Sequence, residues 1–362
     1  MNTTKDKISI RQAIILLFIT TLSPAIRLFP QLTAKAAGKA GWLAPVVAII
    51  PVIILIYIVN SFFKKNKSAN LSDVYCNILG KIAGKIVISL TLIWILILLA
   101  LYVRYYSERL LSSMMPNISN PFLIIVMLCL VFFATRKGLV SIARASEIFL
   151  AIFIFIFIIS FIFVIPEMKY SNLMNVSYLD AWPIAKASYS VFAIWGYFLY
   201  IFFFADKISG KENIKRFSFR GLILLFFIVI MLLIMTIGSL GSTLTSHVAL
   251  PFFLVIKNIS IGTAFNHLES ISLAVWIISD FIIISTLTLV ITSIIKSLFK
   301  LSDTKPMVSP VLLFAGIGAM FLFKNRFELE TFSKYILPTA NVIFEFVIPI
   351  LIFGIGKIRK KI

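Results

Sequence analysis

Charged residues are scarce in this sequence, and acidic residues are the scarcest of them. Of 362 residues, 13% are charged and only 14 are aspartate or glutamate, whereas about a quarter of the residues in a soluble domain are charged. Hydrophobic residues make up 60% of the chain, and the mean hydropathy is +1.05. This composition excludes an ordinary soluble protein.

Cysteine and histidine are equally rare, with two of each. Cys76 and Cys129 are separated by a whole predicted helix and lack metal-ligand spacing, so we expect neither a disulfide nor a thiolate metal site. His247 and His267 have only Glu269 as a nearby acid, which is too few ligands for zinc. The sequence also lacks a phosphate-binding glycine loop and a G-x-S-x-G motif, so we predict no catalytic residue, metal or cofactor.

The net charge of +20 would suggest a nucleic-acid partner in a soluble protein. Here, however, apolar runs of about 20 residues recur along the whole chain, which is typical of helices that cross a lipid bilayer. Helices are required because backbone polar groups in lipid must be bonded within their own segment. The basic residues are then expected in loops, where they set the topology, and we predict no nucleic-acid binding.

The apolar runs predict an all-α polytopic membrane protein with ten spans. These are Ile8–Thr33, Trp42–Phe63, Lys85–Ser107, Pro121–Thr135, Ser146–Ile165, Ile184–Ala205, Gly221–Ser246, His267–Leu298, Ser309–Phe323 and Tyr335–Gly356. The side that holds both termini and the loops after the even-numbered spans carries 23 of the 34 basic residues. Cytoplasmic loops carry such an excess, so both termini are predicted to lie in the cytoplasm.

The first span contains the segment TTLSPAIRLFP, Thr20–Pro30, which is unusual for a helix in lipid because proline removes a backbone donor. Transporters built from inverted repeats interrupt matching helices of their two halves around the binding site. The matching sixth span has Gly196 near its middle, between Trp195 and Tyr197. We therefore predict that the first span consists of two half-helices joined at Ser23–Ala25, and that the sixth is broken at Gly196.

Unwound backbone at membrane depth is tolerated where it lines a cavity. Free N–H groups and a positive helix end would face a carboxylate, and free carbonyl groups with Ser23 would take an ammonium group, which fits an amino acid. Arg27 follows the joint and either clamps a carboxylate or extends to the membrane surface. The alternative is a plain proline kink in the first span and a packing glycine in the sixth.

Asp280 lies near the centre of the eighth span, where an ionised carboxylate is costly. Glu269 and Trp276 share its helical face, and Ser285 and Thr286 follow within two turns. One interpretation is a cation or proton site, or a partner for a ligand ammonium group. The other is a protonated or paired structural aspartate.

Two further places carry polar groups inside predicted spans. Glu345 lies in the middle of the tenth span and is either functional or a partner in a buried interhelical hydrogen bond. In the third span, Arg104 and Glu108 are four residues apart and can pair near the external surface. Tyr102 lies deeper in the same span and is expected to reach the pocket.

Three segments resemble a known family. They are the opening ISIRQAIILLFITTLSPAIRLFP, the segment HLESISLAVWIISDF in the eighth span and the short tail KIRKKI. Together with a length near 360 residues, they make the chain similar to the B subunit of spore germinant receptors. These are the endospore germination permeases of the amino acid–polyamine–organocation superfamily.

The resemblance implies one permease-like domain, residues 1–362, with a LeuT-like five-plus-five inverted repeat over about 8–165 and 184–356 and broken first and sixth helices. It implies a protein of the spore inner membrane that recognises small, amino acid-type germinants and acts with A and C subunits. Carried over by position, the pocket is lined by Ser23, Pro24, Ala25, Tyr102, Trp195, Gly196, Tyr197, Asp280, Ser285 and Thr286. Arg27 completes the candidate ligand-binding set.

Two function classes follow. In the first, the chain is a receptor subunit, and germinant binding shifts a two-state equilibrium that partner subunits read. In the second, it is a secondary transporter that moves an amino acid with H⁺ or Na⁺, with Asp280 serving the coupling ion. The resemblance favours the receptor, whereas the physical features alone favour the transporter. A channel has little in its favour, because the sequence has no charged rings or filter-like repeats.

The topology leads to a direct prediction. Reporter domains fused after Asn66 and after Ile362 should both report a cytoplasmic location, because both positions lie on the side with the excess of basic residues. The measurement is the activity of reporters that work on only one side of the membrane. An external signal from either fusion would contradict the predicted topology.

Overall fold

Long, apolar helical stretches dominate this chain. The structure is a computed structural model that describes residues 7–66, 68–113, 115–174, 176–258, 268–323 and 325–362. Within those ranges, eight helical stretches are long and apolar enough to cross a membrane, and Lys305–Phe321 forms a shorter apolar stretch. The number of crossings, ten, stays a prediction. His267 and the side chain of Glu269 lie outside the described residues, so their interpretations stay predictions.

Fourteen α-helices are numbered here along the described ranges. They are α1 Ile10–Ala37, α2 Ala44–Lys65, α3 Leu71–Leu79, α4 Lys81–Ser113, α5 Asn120–Lys137, α6 Leu139–Val164, α7 Ala181–Trp195, α8 Ile214–His247, α9 Pro251–Lys257, α10 Leu268–Phe299, α11 Val308–Phe321, α12 Arg326–Thr331, α13 Leu337–Val342 and α14 Ile348–Ile358. The last three are joined into one stretch by π-helical turns at Phe332–Ile336 and Ile343–Val347. Helix α3 includes Cys76 and lies between the second and third predicted spans.

Helix α1 begins at a capping box, in which Gln12 N–H donates to Ser9 Oγ at 3.2 Å and Ser9 N–H donates to Gln12 Oε1 at 3.0 Å. Two short strands, β1 (Ile8–Ser9) and β2 (Ile208–Ser209), pair in parallel. The pairing brings the start of the first span next to the end of the sixth. The two spans therefore run in opposite directions, as matching members of an inverted repeat do.

The predicted joint in the first span is wrong, because α1 is one continuous α-helix through Ser23–Ala25. Proline has a φ angle that a helix accepts, and Pro24 removes only the donor that would bond the Thr20 carbonyl group. Buried threonines bond to carbonyl groups of the same helix, as Thr20 Oγ1 does to Leu16 O at 2.8 Å. Helix α1 also packs against α6, α7, α8 and α10, and such neighbours allow a proline to remain inside a membrane helix.

The predicted change at Gly196 is confirmed in position, although the chain does not unwind there. Helix α7 ends at Trp195, and a 3-10 helix runs from Gly196 to Lys207 with non-helical angles at Phe204 (φ −114°, ψ 29°). A 3-10 helix of this length is uncommon and marks a special segment. A Cβ atom on Gly196 would overlap Oε2 of Glu345, so the last span can approach this closely only because residue 196 is glycine.

This contact leads to a prediction with a matched control. Gly196→Leu should lower the free energy of unfolding by about 1–3 kcal/mol, because the added atoms have no room against the last span. Gly354→Leu should have a much smaller effect, because nothing lies within 4 Å of the place where its Cβ atom would stand. The measurement is thermal unfolding of the purified variants in detergent. Equal stability of the two variants would contradict the packing described here.

Candidate functional site

A buried ion pair joins the third and eighth spans at the centre of the bundle. The Arg109 guanidinium group on α4 donates from Nη1 to Oδ2 of Asp280 on α10, and from Nη2 to Oδ1 at 3.2 Å. Ser23 on α1 donates from Oγ to the same Oδ1, and Arg109 Nη2 reaches Ser23 Oγ at 3.3 Å. Three spans therefore meet at one carboxylate.

Trp276 completes this central cluster from one turn earlier on α10. Its Nε1–H donates to Ser23 Oγ at 3.2 Å, and its ring lies 3.7 Å from the guanidinium carbon of Arg109. A guanidinium group is attracted to the face of an indole ring, most strongly when water is excluded. The tryptophan thus holds the arginine against the carboxylate and fixes the orientation of the serine.

The central cluster, defined as Ser23, Arg109, Trp276 and Asp280, is closed to solvent. The four side chains are at most 2% exposed. A charge buried in this way is tolerated because it is paired and hydrogen-bonded. The candidate residues Ser23 and Asp280 are therefore in direct contact, and the interpretation of Asp280 as a paired aspartate describes its state here.

Arg109 is the member of this cluster that the sequence analysis missed. It lies two residues beyond Ser107, the predicted end of the third span, where an arginine is expected to extend to the membrane surface. Arg104 and Glu108 do form the expected ion pair, at 2.7 Å. The sequence does contain a pattern that points to Arg109. Tyr102, Tyr105 and Arg109 are spaced by three and four residues, which places them on one helical face.

A second layer of polar side chains joins the third, sixth and last spans. The hydroxyl groups of Tyr102 and Tyr197 are hydrogen-bonded at 2.6 Å. Asn341 Nδ2 donates to Tyr197 Oη at 3.4 Å, and Trp94 Nε1–H donates to Asn341 Oδ1 at 3.1 Å. Both tyrosines were predicted site residues, and the structure brings them together.

A cavity lies one helical turn from Ser23 towards the end of α1. It has a volume of about 360 Å³, and its charged lining residues are Arg27, Lys35, Lys334 and Glu330, beside uncharged polar and apolar side chains. The Arg27 guanidinium carbon lies 4.0 Å from the ring centroid of Tyr105, whose hydroxyl group is hydrogen-bonded to Ser333. We call this space the vestibule; its volume suits a small molecule, and its charged lining residues carry a net positive charge.

The remaining predicted residues are placed differently. Thr286 Oγ1 accepts a hydrogen bond from Thr20 Oγ1 at 3.4 Å, whereas buried Ser285 has no partner for its hydroxyl group among the described residues. Trp195 lines a cavity of about 20 Å³ between α1, α2 and α8, on the other side of the sixth span from Tyr197. Pro24 and Ala25 lie inside continuous α1. Ligand contact by any of these residues stays a prediction.

The chemistry of these groups suits a small zwitterion. A guanidinium group binds a carboxylate through paired hydrogen bonds, and a carboxylate binds an ammonium group. In this structure Arg109 and Asp280 satisfy each other, and Arg27, which lines the vestibule, lies one turn from Ser23 on α1. Among the described residues, no group of three or more His, Cys, Asp and Glu side chains is placed to hold a metal ion.

Comparison with known sequences gives consistent matches across the chain. The family model described as "Spore germination protein" matches residues 7–328. The YfkT protein of Bacillus subtilis (strain 168) is 22% identical over 97% of both chains. Spore germination protein KB of the same organism is 21% identical over 99% of this chain and 96% of its own length, and spore germination protein XB of Bacillus anthracis is 22% identical over 96% and 98%.

Two solved structures illustrate the fold that this chain shares with known proteins. MhsT in complex with L-phenylalanine has a TM-score of 0.69 at 11% identity, covering 94% of this chain and 88% of MhsT. A Na⁺-coupled sialic acid symporter in a substrate-bound outward-open state has a TM-score of 0.63 at 15% identity, covering 94% of this chain and 79% of the symporter. The predicted fold class, an all-α polytopic protein of the LeuT type, is confirmed.

The central ion pair leads to a prediction about stability. Arg109→Met should lower the free energy of unfolding by about 3–5 kcal/mol, because it leaves the Asp280 carboxylate buried without a cation. The double variant Arg109→Met/Asp280→Leu should recover much of that loss, because no charge remains to be buried. The measurement is denaturant-induced unfolding of the purified protein in detergent.

A matched control is available in the same chain. Arg326 and Glu330 form an ion pair at 2.8 Å, but their side chains are 50% and 43% exposed. Arg326→Met should therefore change the free energy of unfolding by about 1 kcal/mol or less. A loss in Arg109→Met no larger than the loss in Arg326→Met would contradict the description of a buried pair.

Proposed function

The chain belongs to the spore germination protein family, and from this we propose that it is the nutrient-sensing, permease-like subunit of a spore germinant receptor. It is a multi-pass membrane protein with the fold of MhsT and of a Na⁺-coupled sialic acid symporter. Its family is not a family of enzymes. The germinant is an amino acid-type molecule, and its binding triggers germination. We place the protein in the inner membrane of the spore with both termini in the cytoplasm, so that the vestibule opens to the outside.

The observation that carries this proposal is the mutual pairing of Arg109 and Asp280 beside the vestibule. The two side chains are the groups that would bind the carboxylate and the ammonium group of an amino acid. While they bind each other, the ligand site is closed. A zwitterion can replace one protein–protein ion pair by two protein–ligand ion pairs, without leaving either protein charge unpaired.

The vestibule supplies the route to that site. Its basic side chains, Arg27, Lys35 and Lys334, attract a carboxylate, and Arg27 lies one turn from Ser23. The ligand carboxylate would meet Arg27 first and Arg109 next, while its ammonium group reaches Asp280. Tyr102 and Tyr197 would offer hydroxyl groups to the rest of the ligand.

Ligand binding can act as a signal only if the ligand binds one conformation better than the other. Separation of Arg109 from Asp280 moves α4 relative to α10, and both helices pack against further spans. The closed arrangement is then the resting state, and the ligand-bound arrangement is the active one. We propose that A and C subunits of the receptor read this difference.

A secondary transporter is the second candidate. The observation in its favour is the fold shared with MhsT and a Na⁺-coupled symporter, whose structures contain bound substrates. In that case H⁺ or Na⁺ would move together with the amino acid, and Asp280 would serve the ion. Concentrative uptake of a labelled amino acid into proteoliposomes that contain only this chain distinguishes the transporter from a pure sensor.

A spore assay tests the receptor function and the ligand route together. Spores without this gene should fail to respond to the particular nutrient that its receptor senses, when single nutrients are compared by loss of optical density. In complemented spores, Arg27→Gln should raise the half-maximal concentration of a carboxylate-bearing nutrient about tenfold or more. The reason is the loss of one charge-assisted hydrogen bond.

The control is Lys186→Gln, which removes an exposed positive charge near the start of α7 that does not line the vestibule. It should leave the half-maximal concentration unchanged. A normal response of the deleted strain to every nutrient would reject the receptor function. Equal effects of Arg27→Gln and Lys186→Gln would reject the route through the vestibule.

A further inference from the structure

A second buried carboxyl group, on Glu345 in the last span, is not used by the proposed ligand site. Its side chain is 0% exposed, and neither carboxyl oxygen forms a hydrogen bond with any residue that the structure describes. The contrast with Asp280 is direct, because that carboxylate has bonds from Arg109 and Ser23. Two acidic groups in one bundle are therefore neutralised in different ways.

The surroundings of Glu345 contain hydroxyl groups and aromatic rings. The titratable side chains that face it are Tyr200 and Tyr197 from the sixth span and Tyr102 from the third. Within the described ranges, no lysine, arginine or histidine forms an ion pair with it. The Tyr200 hydroxyl group interacts with this carboxyl group, although neither group forms a hydrogen bond of ordinary length and angle in the described part of the chain.

An ionised carboxylate without a cation is not stable in such surroundings. The cost of burying a bare carboxylate is large, and the group takes up a proton instead. A neutral carboxyl group has one O–H donor and can share it with an adjacent hydroxyl oxygen. The neighbouring tyrosine hydroxyl groups therefore suit a protonated glutamate.

The backbone at this point is irregular on both sides of the contact. Glu345 lies in a π-helical turn, Ile343–Val347, and such turns occur frequently at functional sites. The facing residue is Gly196, where the sixth span changes from α-helix to 3-10 helix. Because Oε2 of Glu345 occupies the space of a Cβ atom on Gly196, no water fits between them while the spans are packed.

From this geometry we propose that Glu345 is a proton-binding site that controls the packing of the sixth span against the last span. The carboxyl group is neutral while Gly196 lies against it. When the sixth span moves away, water enters, the O–H bond breaks, and the proton passes to that water while the carboxylate becomes hydrated. Acidic conditions favour the packed arrangement, and alkaline conditions favour the separated one.

Infrared spectroscopy of the purified protein tests the protonation state directly and without a germinant. At neutral pH the wild-type protein should show the C=O stretching band of a protonated carboxylic acid. Glu345→Gln should lose this band, whereas Asp280→Asn should retain it, because Asp280 is paired with the Arg109 guanidinium group. Absence of the band from the wild-type protein, or its persistence in Glu345→Gln, would overturn the proposal.

Thermal unfolding as a function of pH supplies a second readout. An unfolded glutamate is ionised above about pH 4.3, so unfolding releases the bound proton and rising pH lowers the stability of the wild-type protein. Glu345→Gln cannot release a proton, so its unfolding temperature should fall less as the pH rises. Parallel pH profiles of the two proteins would count against proton binding at this residue.

Two further arms keep the test decisive. If Glu345→Gln is not recovered as folded protein, Glu345→Asp should keep the band at a displaced frequency, and an unchanged frequency would assign the band to another residue. Loss of the wild-type band on adding NaCl at constant pH, but not on adding KCl, would show sodium in place of the proton and overturn the proposal. All arms use the chain alone, so they are independent of the proposed germinant response.

Discussion

The burial of one ion pair inside an apolar bundle is the constraint on which the rest of this structure depends. Neither Arg109 nor Asp280 is tolerable alone in apolar surroundings, and together they require that α4 and α10 lie side by side in one register. Ser23 and Trp276 extend the constraint to α1, because the serine hydroxyl group is shared by the carboxylate, the guanidinium group and the indole N–H. Three spans are thus fixed by polar contacts in a protein whose other contacts are mostly apolar.

The sixth span is held from two sides, and this connects the central cluster to the last span. Tyr197 is bonded to Tyr102 of the third span and to Asn341 of the last, and Gly196 lies against Glu345. In the proposed mechanism, a ligand that separates the central ion pair would move the helix that carries Tyr102. The same movement changes the support of the sixth span, so the two buried carboxyl groups are linked through one contiguous set of side chains.

The site residues that could be predicted are those that are energetically costly to place in lipid even when each is considered alone. Asp280 is an expensive group in an apolar run, and a polar partner for it was foreseeable, as was the meeting of Tyr102 with the sixth span. The identity of that partner could not be foreseen, because Arg109 lies near the end of a span, where an arginine is expected at the membrane surface. The prediction of an unwound joint at Ser23–Ala25 was also wrong. Helix propensity describes an isolated helix, whereas α1 is packed against neighbouring helices on all sides.

By itself, the sequence determined the environment of this protein: an apolar composition and recurring long runs leave helices in a membrane as the solution, because lipid offers no partners for backbone groups. It also determined the place of the change in the sixth span, because at Gly196 only glycine leaves room for the Glu345 side chain of the last span. The tertiary structure alone decided which charges meet, that the first span stays helical through Pro24, and that the central cluster is closed. Those outcomes depend on the relative positions of helices far apart in the chain, and no local pattern contains that information.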